Sequence, residues 1–163
     1  MKKFFILFMV FVLIMSFTAC VNETQSNSSE PISVARKDIE EAEDMTAMKM
    51  SVAIGEQSFT VTLENNSATH ELVKMMEKEP ISIDMDDYSG FEKVGLLGKS
   101  LPTDNRKMTT QAGDIVLYSG NQIVMFYGSN SWDYTGIGRI DDLSGWEEAL
   151  GTGNVTAVFS IAK

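Results

Sequence analysis

Arg139, Glu92 and a set of aromatic side chains offer the most chemistry in this chain. Arg139 stands between Gly138 and Ile140, shortly after the segment Trp132-Asp133-Tyr134. A guanidinium is a planar fork of donors, suited to gripping a carboxylate or a carbonyl. The same fork would serve as a structural partner for Glu92, Asp141 or Asp142, because arginines that lose water are commonly paired. Glu92 precedes Lys93 in a glycine-rich segment and offers either an acid–base group or a structural ion pair at a barrel rim. Trp132, Tyr134, Phe126 and Tyr127 join apolar rings to polar tips, the material of a binding pocket. Phe126 and Tyr127 are neighbours in a strand pattern, so they point to opposite sides and one of them belongs to the core. These residues are expected to outline a modest groove near Trp132, Tyr134 and Arg139.

The rest of the inventory narrows the chemistry. His70 is the only histidine and Cys20 the only cysteine. A zinc site built from several such residues is therefore excluded, and His70 lies off the apolar stripe of its helix, as a surface residue does. Gly136-Ile137-Gly138-Arg139 lacks the lysine and the following helix of a phosphate loop. Most methionines, Met50, Met75, Met76, Met85 and Met125 among them, fall on apolar faces and fill a core. The expectation is a domain with no catalytic set, no metal and no cofactor.

Cys20 carries chemistry of another kind. Met1-Lys2-Lys3 is a basic start, Phe4 to Met15 is an unbroken apolar run, and Phe17-Thr18-Ala19-Cys20 closes it. A spanning helix needs about 20 apolar residues. This run is shorter and ends in small residues, as a secretory signal does. The last four residues resemble a bacterial lipobox, with Phe17 in place of the usual leucine. The expectation is a lipoprotein-type signal over residues 1–19, lipid on Cys20, and a place outside the cytoplasm on the bacterial cell membrane. Residues 20–47, rich in Asn, Ser, Gln and Glu, read as a disordered acidic tether. Without its two leader lysines the chain carries 11 basic and 23 acidic residues, a net of −12. Such a charge makes nucleic acid and anionic headgroups poor partners.

The elements that must position the candidate residues lie in residues 48–163. Met48 to Ile54 and Phe59 to Leu63 alternate apolar and polar residues around Gly55-Glu56, the pattern of a β-hairpin. Asn65-Asn66-Ser67 offers caps for a helix that Pro80 ends. Further alternating runs fall at 81–85, 91–97, 115–118, 122–127, 136–140 and 155–161, with a short helix over 143–150. A long loop is expected beyond Leu97, and Trp132 and Tyr134 are expected in another loop. Eight short strands with frequent turn signals argue a mainly β domain closed into a barrel, which leaves no exposed edges.

Five segments in order, Phe59–Leu63, Tyr88–Leu96, Gly113–Tyr118, Ile123–Gly128 and Ile137–Ile140, resemble the small bacterial family of cyclophilin-like domains. The resemblance covers residues 48–162. It implies a compact closed eight-stranded β-barrel with two short helices capping its ends. True cyclophilins share this fold and isomerise X-Pro bonds with a Phe-His-Arg segment that this chain lacks. No catalytic residue carries over, and fold alone does not imply activity. Three functions stay open: a non-enzymatic binding module for a small molecule or peptide, a prolyl isomerase or folding factor at the membrane, and a passive module that binds another envelope protein.

Overall fold

The computed structural model describes residues 48–163. The signal-like leader, Cys20 and the tether fall outside the described residues. Strand β1 (Lys49–Ile54) turns through Gly55, at φ 58°, into β2 (Gln57–Leu63). Helix α1 (Ser67–Met76) starts at Asn66, whose side-chain oxygen accepts a hydrogen bond from the Thr69 amide at 3.0 Å. This satisfies one of the free donors of the first turn. Then come β3 (Ile81–Tyr88), β4 (Glu92–Leu96), β5 (Arg106–Thr109), β6 (Asp114–Tyr118), β7 (Gln122–Phe126) and β8 (Ser131–Ile140). Helix α2 (Trp146–Leu150) and β9 (Val155–Ile161) complete the chain.

The strands run in the order β2-β1-β9-β3-β4-β7-β6-β8, and β8 pairs back onto β2 to close an eight-stranded antiparallel barrel. The closure depends on glycine. A Cβ on Gly138 would lie 2.5 Å from the Thr62 carbonyl oxygen, so any larger residue would push β8 off β2. Alternate residues of each strand fill the barrel, among them Met50, Val52, Val61, Leu117, Met125 and Phe159. Leu72 and Val73 of α1 and Trp146 and Leu150 of α2 join the same core. The Trp146 indole meets the Phe59 ring edge-on at 5.0 Å and donates to the Phe126 carbonyl at 2.9 Å. A buried indole therefore keeps its hydrogen bond.

Two local expectations need correction. The region beyond Leu97 is not all loop, because β5 forms there and pairs with the first half of β8, outside the closed ring. β8 itself begins at Ser131 and not at Gly136, so Trp132 and Tyr134 are strand residues. The segment Arg106-Lys107-Met108-Thr109 is largely exposed on both faces, and a strand without a buried face has no alternation to read.

Candidate functional site

Period-two geometry gives each barrel strand an outer face as well as an inner one. On β6 and β7 the outer face also carries large apolar residues. Val116, Val124 and Phe126 are buried there with Tyr134 of β8, while Val94, Tyr118 and Met108 pack beside them. This second core lies outside the barrel. Next to it opens a groove of about 350 Å³.

Glu92 and Val94 of β4 and Val124 of β7 line the groove. The register sets Glu92 directly across from Tyr88 on one side and Phe126 on the other. Tyr118, Trp132 and Tyr134 also line it, with the amides of Gln122 and Asn130. Tyr88 and Trp132 are 59% and 56% exposed, unusual for large aromatic rings. They belong to β3 and β8, the outermost two of the five neighbouring strands that carry the groove.

Glu92 is only 6% exposed, and its Oε2 is buried without a hydrogen-bond partner. Burial disfavours the charged form and pushes its carboxyl from 4.5 up to about 7. Among the described residues, no lysine or arginine lines the groove to oppose this. Tyr134 is buried as well. Its hydroxyl accepts from the Asn130 side-chain amide at 3.0 Å, and its ring meets Phe126 and Tyr118 edge-on at 5.7 and 6.0 Å. Burial, with the nearby Glu92 charge, raises its phenol above the usual range, so the hydroxyl keeps its proton.

Lys93 turns the other way. It is fully buried, and its ammonium donates to Asp87 at 2.5 Å and to the carbonyls of Gly153 and Gly151 at 2.6 and 3.1 Å. The expected structural pair therefore joins Lys93 to Asp87 and leaves Glu92 alone. Tyr127 belongs to this cluster and not to the groove. Its hydroxyl donates to Asp87 at 2.8 Å, and its ring lies 5.2 Å from the Lys93 ammonium. Burial and the Asp87 charge push the Tyr127 phenol up to about 12. Phe126, one residue earlier, faces outward and is fully buried in the second core beside the groove.

Arg139 is also misplaced by the sequence reading. It pairs with Asp114 at 2.8 Å, a partner other than Glu92, Asp141 or Asp142, and its side chain is 51% exposed. It lines a separate and larger cavity of about 590 Å³. The nearby charges there are already paired, Arg139 with Asp114, Glu64 with Arg106, and Asp141 with Lys49. Arg139→Ala is expected to lower stability by less than about 1 kcal/mol, as exposed pairs do, in a urea titration at pH 7. His70 sits at the surface, its Nε2 2.8 Å from the Asn65 side-chain oxygen.

The groove thus gathers Glu92, Trp132 and Tyr134, with Phe126 behind them. Tyr88, Tyr118, Gln122 and Asn130 complete it and were not foreseen. For Tyr118 the signal was present: it shares the parity of Val116 on a strand whose two faces are both apolar. Among the described residues, no group of three His, Cys, Asp or Glu side chains is placed to hold a metal ion. Residues 52–160 match the sequence profile of the cyclophilin-like family. No curated protein matches the chain.

Proposed function

We propose a binding role for this chain, which belongs to the cyclophilin-like family. The domain is a non-enzymatic binding module held on the outer side of the bacterial membrane by lipid on Cys20, and its outer-face groove takes a small molecule or peptide. One observation carries the reading: a buried carboxyl with an unpartnered oxygen lies in a groove that two exposed aromatic rings flank. A buried polar atom without a partner costs roughly 1–3 kcal/mol. A domain with ample apolar residues has little reason to keep one unless something meets it. Exposed rings beside it supply contact area for a ligand.

The experiment follows from the two tryptophans. Trp146 is buried in the core and Trp132 stands at the groove, so ligand-induced fluorescence change reports on Trp132. The full chain in detergent is screened against neutral, anionic and cationic small molecules and short peptides. At least one class is expected to quench Trp132 and, by calorimetry, to bind at least tenfold more weakly to Trp132→Ala and normally to Arg139→Ala. Binding that survives Trp132→Ala would move the site elsewhere. Turnover above background on a panel of X-Pro peptides, lost in Glu92→Gln, would replace the binding role with isomerisation. Cys20→Ser is expected to shift the protein from the membrane fraction to the soluble fraction; its persistence in the membrane would remove the lipid anchor.

A further inference from the structure

We propose that the groove recognises an organic cation, an alkylammonium or guanidinium group, seated on Glu92 among the rings of Tyr88, Tyr118 and Trp132. This rests on the groove being the binding site and adds the chemistry of what it binds.

Each wall contributes to the same sign. Glu92 is only 6% exposed, its Oε2 is buried without a hydrogen-bond partner, and among the described residues it is the only carboxylic acid lining the groove. The other lining groups that could titrate are tyrosines. Aromatic faces carry partial negative charge and attract cations. Gln122 brings an amide oxygen, which accepts hydrogen bonds from N–H donors, while the Asn130 oxygen already accepts from the Ser131 amide at 2.8 Å.

Around the groove the charges agree. On β3, Asp86 lies across from Val94 and so shares the outer face with Glu92. On β4, Lys93 points inward and its charge is taken by Asp87. On the β5–β8 ribbon, Lys107 pairs in register with Asp133, one residue out of phase with Trp132 and Tyr134, so both point off the opposite face. Arg106 of that ribbon is held by Glu64. Among the described residues no lysine or arginine lines the groove beside Glu92, whereas an anion would meet an uncompensated carboxylate. A ligand cation would convert a neutral acid into a paired carboxylate, and apolar groups on the cation would meet the rings.

A free amine and an arginine or lysine side chain of a peptide share this chemistry. The probes are phenethylammonium for the first source and N-acetylarginine amide for the second, with N-acetylcitrulline amide as the uncharged match of arginine. Binding to the full chain in detergent is measured by calorimetry and Trp132 fluorescence at pH 5.5 and 8.5. At least one cation is expected to bind, with citrulline at least tenfold weaker than arginine if the peptide source holds. Affinity is expected to rise by up to about thirtyfold from pH 5.5 to 8.5, because the cation pairs with ionised Glu92, whose carboxyl burial raises to about 7. Glu92→Gln is expected to lose both the affinity and its pH dependence, and Asp142→Asn, away from the groove, to change neither. Equal affinity for arginine and citrulline derivatives, or cation binding unaffected by Glu92→Gln, would overturn the proposal. If neutral or anionic compounds alone quench Trp132, the groove remains the site and only the cation falls. If no class of compound reaches Trp132, the groove itself falls.

Discussion

Lys93→Ala is expected to destabilise the domain by about 3 kcal/mol or more, read as a drop in the urea midpoint at pH 7. Lys93 is a charged residue with no exposed surface, packed among strands. It is tolerated because its three ammonium hydrogens meet three acceptors, the Asp87 carboxylate and the carbonyls of Gly151 and Gly153. Those glycines lie between α2 and β9, so one side chain ties that connection to β4. Alanine would leave the two carbonyls and the Tyr127–Asp87 pair without their donor, and would open a cavity where the aliphatic stem lay. Lys93→Met separates the two effects: it refills the cavity but restores no donor, and is expected to recover about half the loss. The pH dependence identifies the ion pair. Lys93 and Tyr127 hydrogen bonds hold the Asp87 carboxyl below 3.8. A lowered carboxyl pKa stabilises the fold above its unfolded value and loses that contribution as pH falls through the folded value. The stability gap between wild type and Lys93→Met should therefore narrow below about pH 4. A gap independent of pH would mean that packing, and not the charge pair, makes Lys93 important.

Inner and outer faces differ in how far they could be read from sequence. The barrel was legible because its strands alternate: Met50, Val52 and Ile54 against Lys49, Ser51 and Ala53 leave one choice of buried face. The hairpin at Gly55 and the cap at Asn66 were legible from turn and cap chemistry for the same reason, since each is local. β5 was not, because its stability comes from its ladder with β8 and not from a buried face. The groove was half legible. Glu92, Trp132 and Tyr134 stand out as residue types, but their meeting depends on β4 and β8 lying two strands apart across β7 and β6, a long-range pairing that no local pattern encodes. Arg139 illustrates the converse. It lies close in sequence to Trp132 and Tyr134, yet the chain from Tyr134 to Arg139 runs along the strand to a different cavity. The Lys93–Asp87 pair was hidden for a similar reason, since sequence offers Glu92 as the nearer acid while the strand pleat turns it to the other face.

Glu92→Leu is expected to make the folded domain more stable, not less, and the gain should grow with pH. Folding moves the Glu92 carboxyl from water to an apolar wall, and its pKa rises from 4.5 to about 7. A carboxyl with a raised folded pKa imposes no ionisation penalty below its unfolded value. The penalty grows between pH 4.5 and 7 and is constant above. The full rise corresponds to at most about 3 kcal/mol, and the solvent at the open side of the groove reduces this to about 1–2 kcal/mol. Wild-type stability should therefore fall by that amount from pH 4.5 to 8, and the Glu92→Leu curve should be flatter over the same range. A parallel pair of curves would show that Glu92 is solvated or already partnered, and would weaken the groove as a site. A more stable Glu92→Leu domain that no longer quenches with ligand would establish the opposite: the carboxyl is kept at the expense of stability for what it binds, the trade-off common at functional sites.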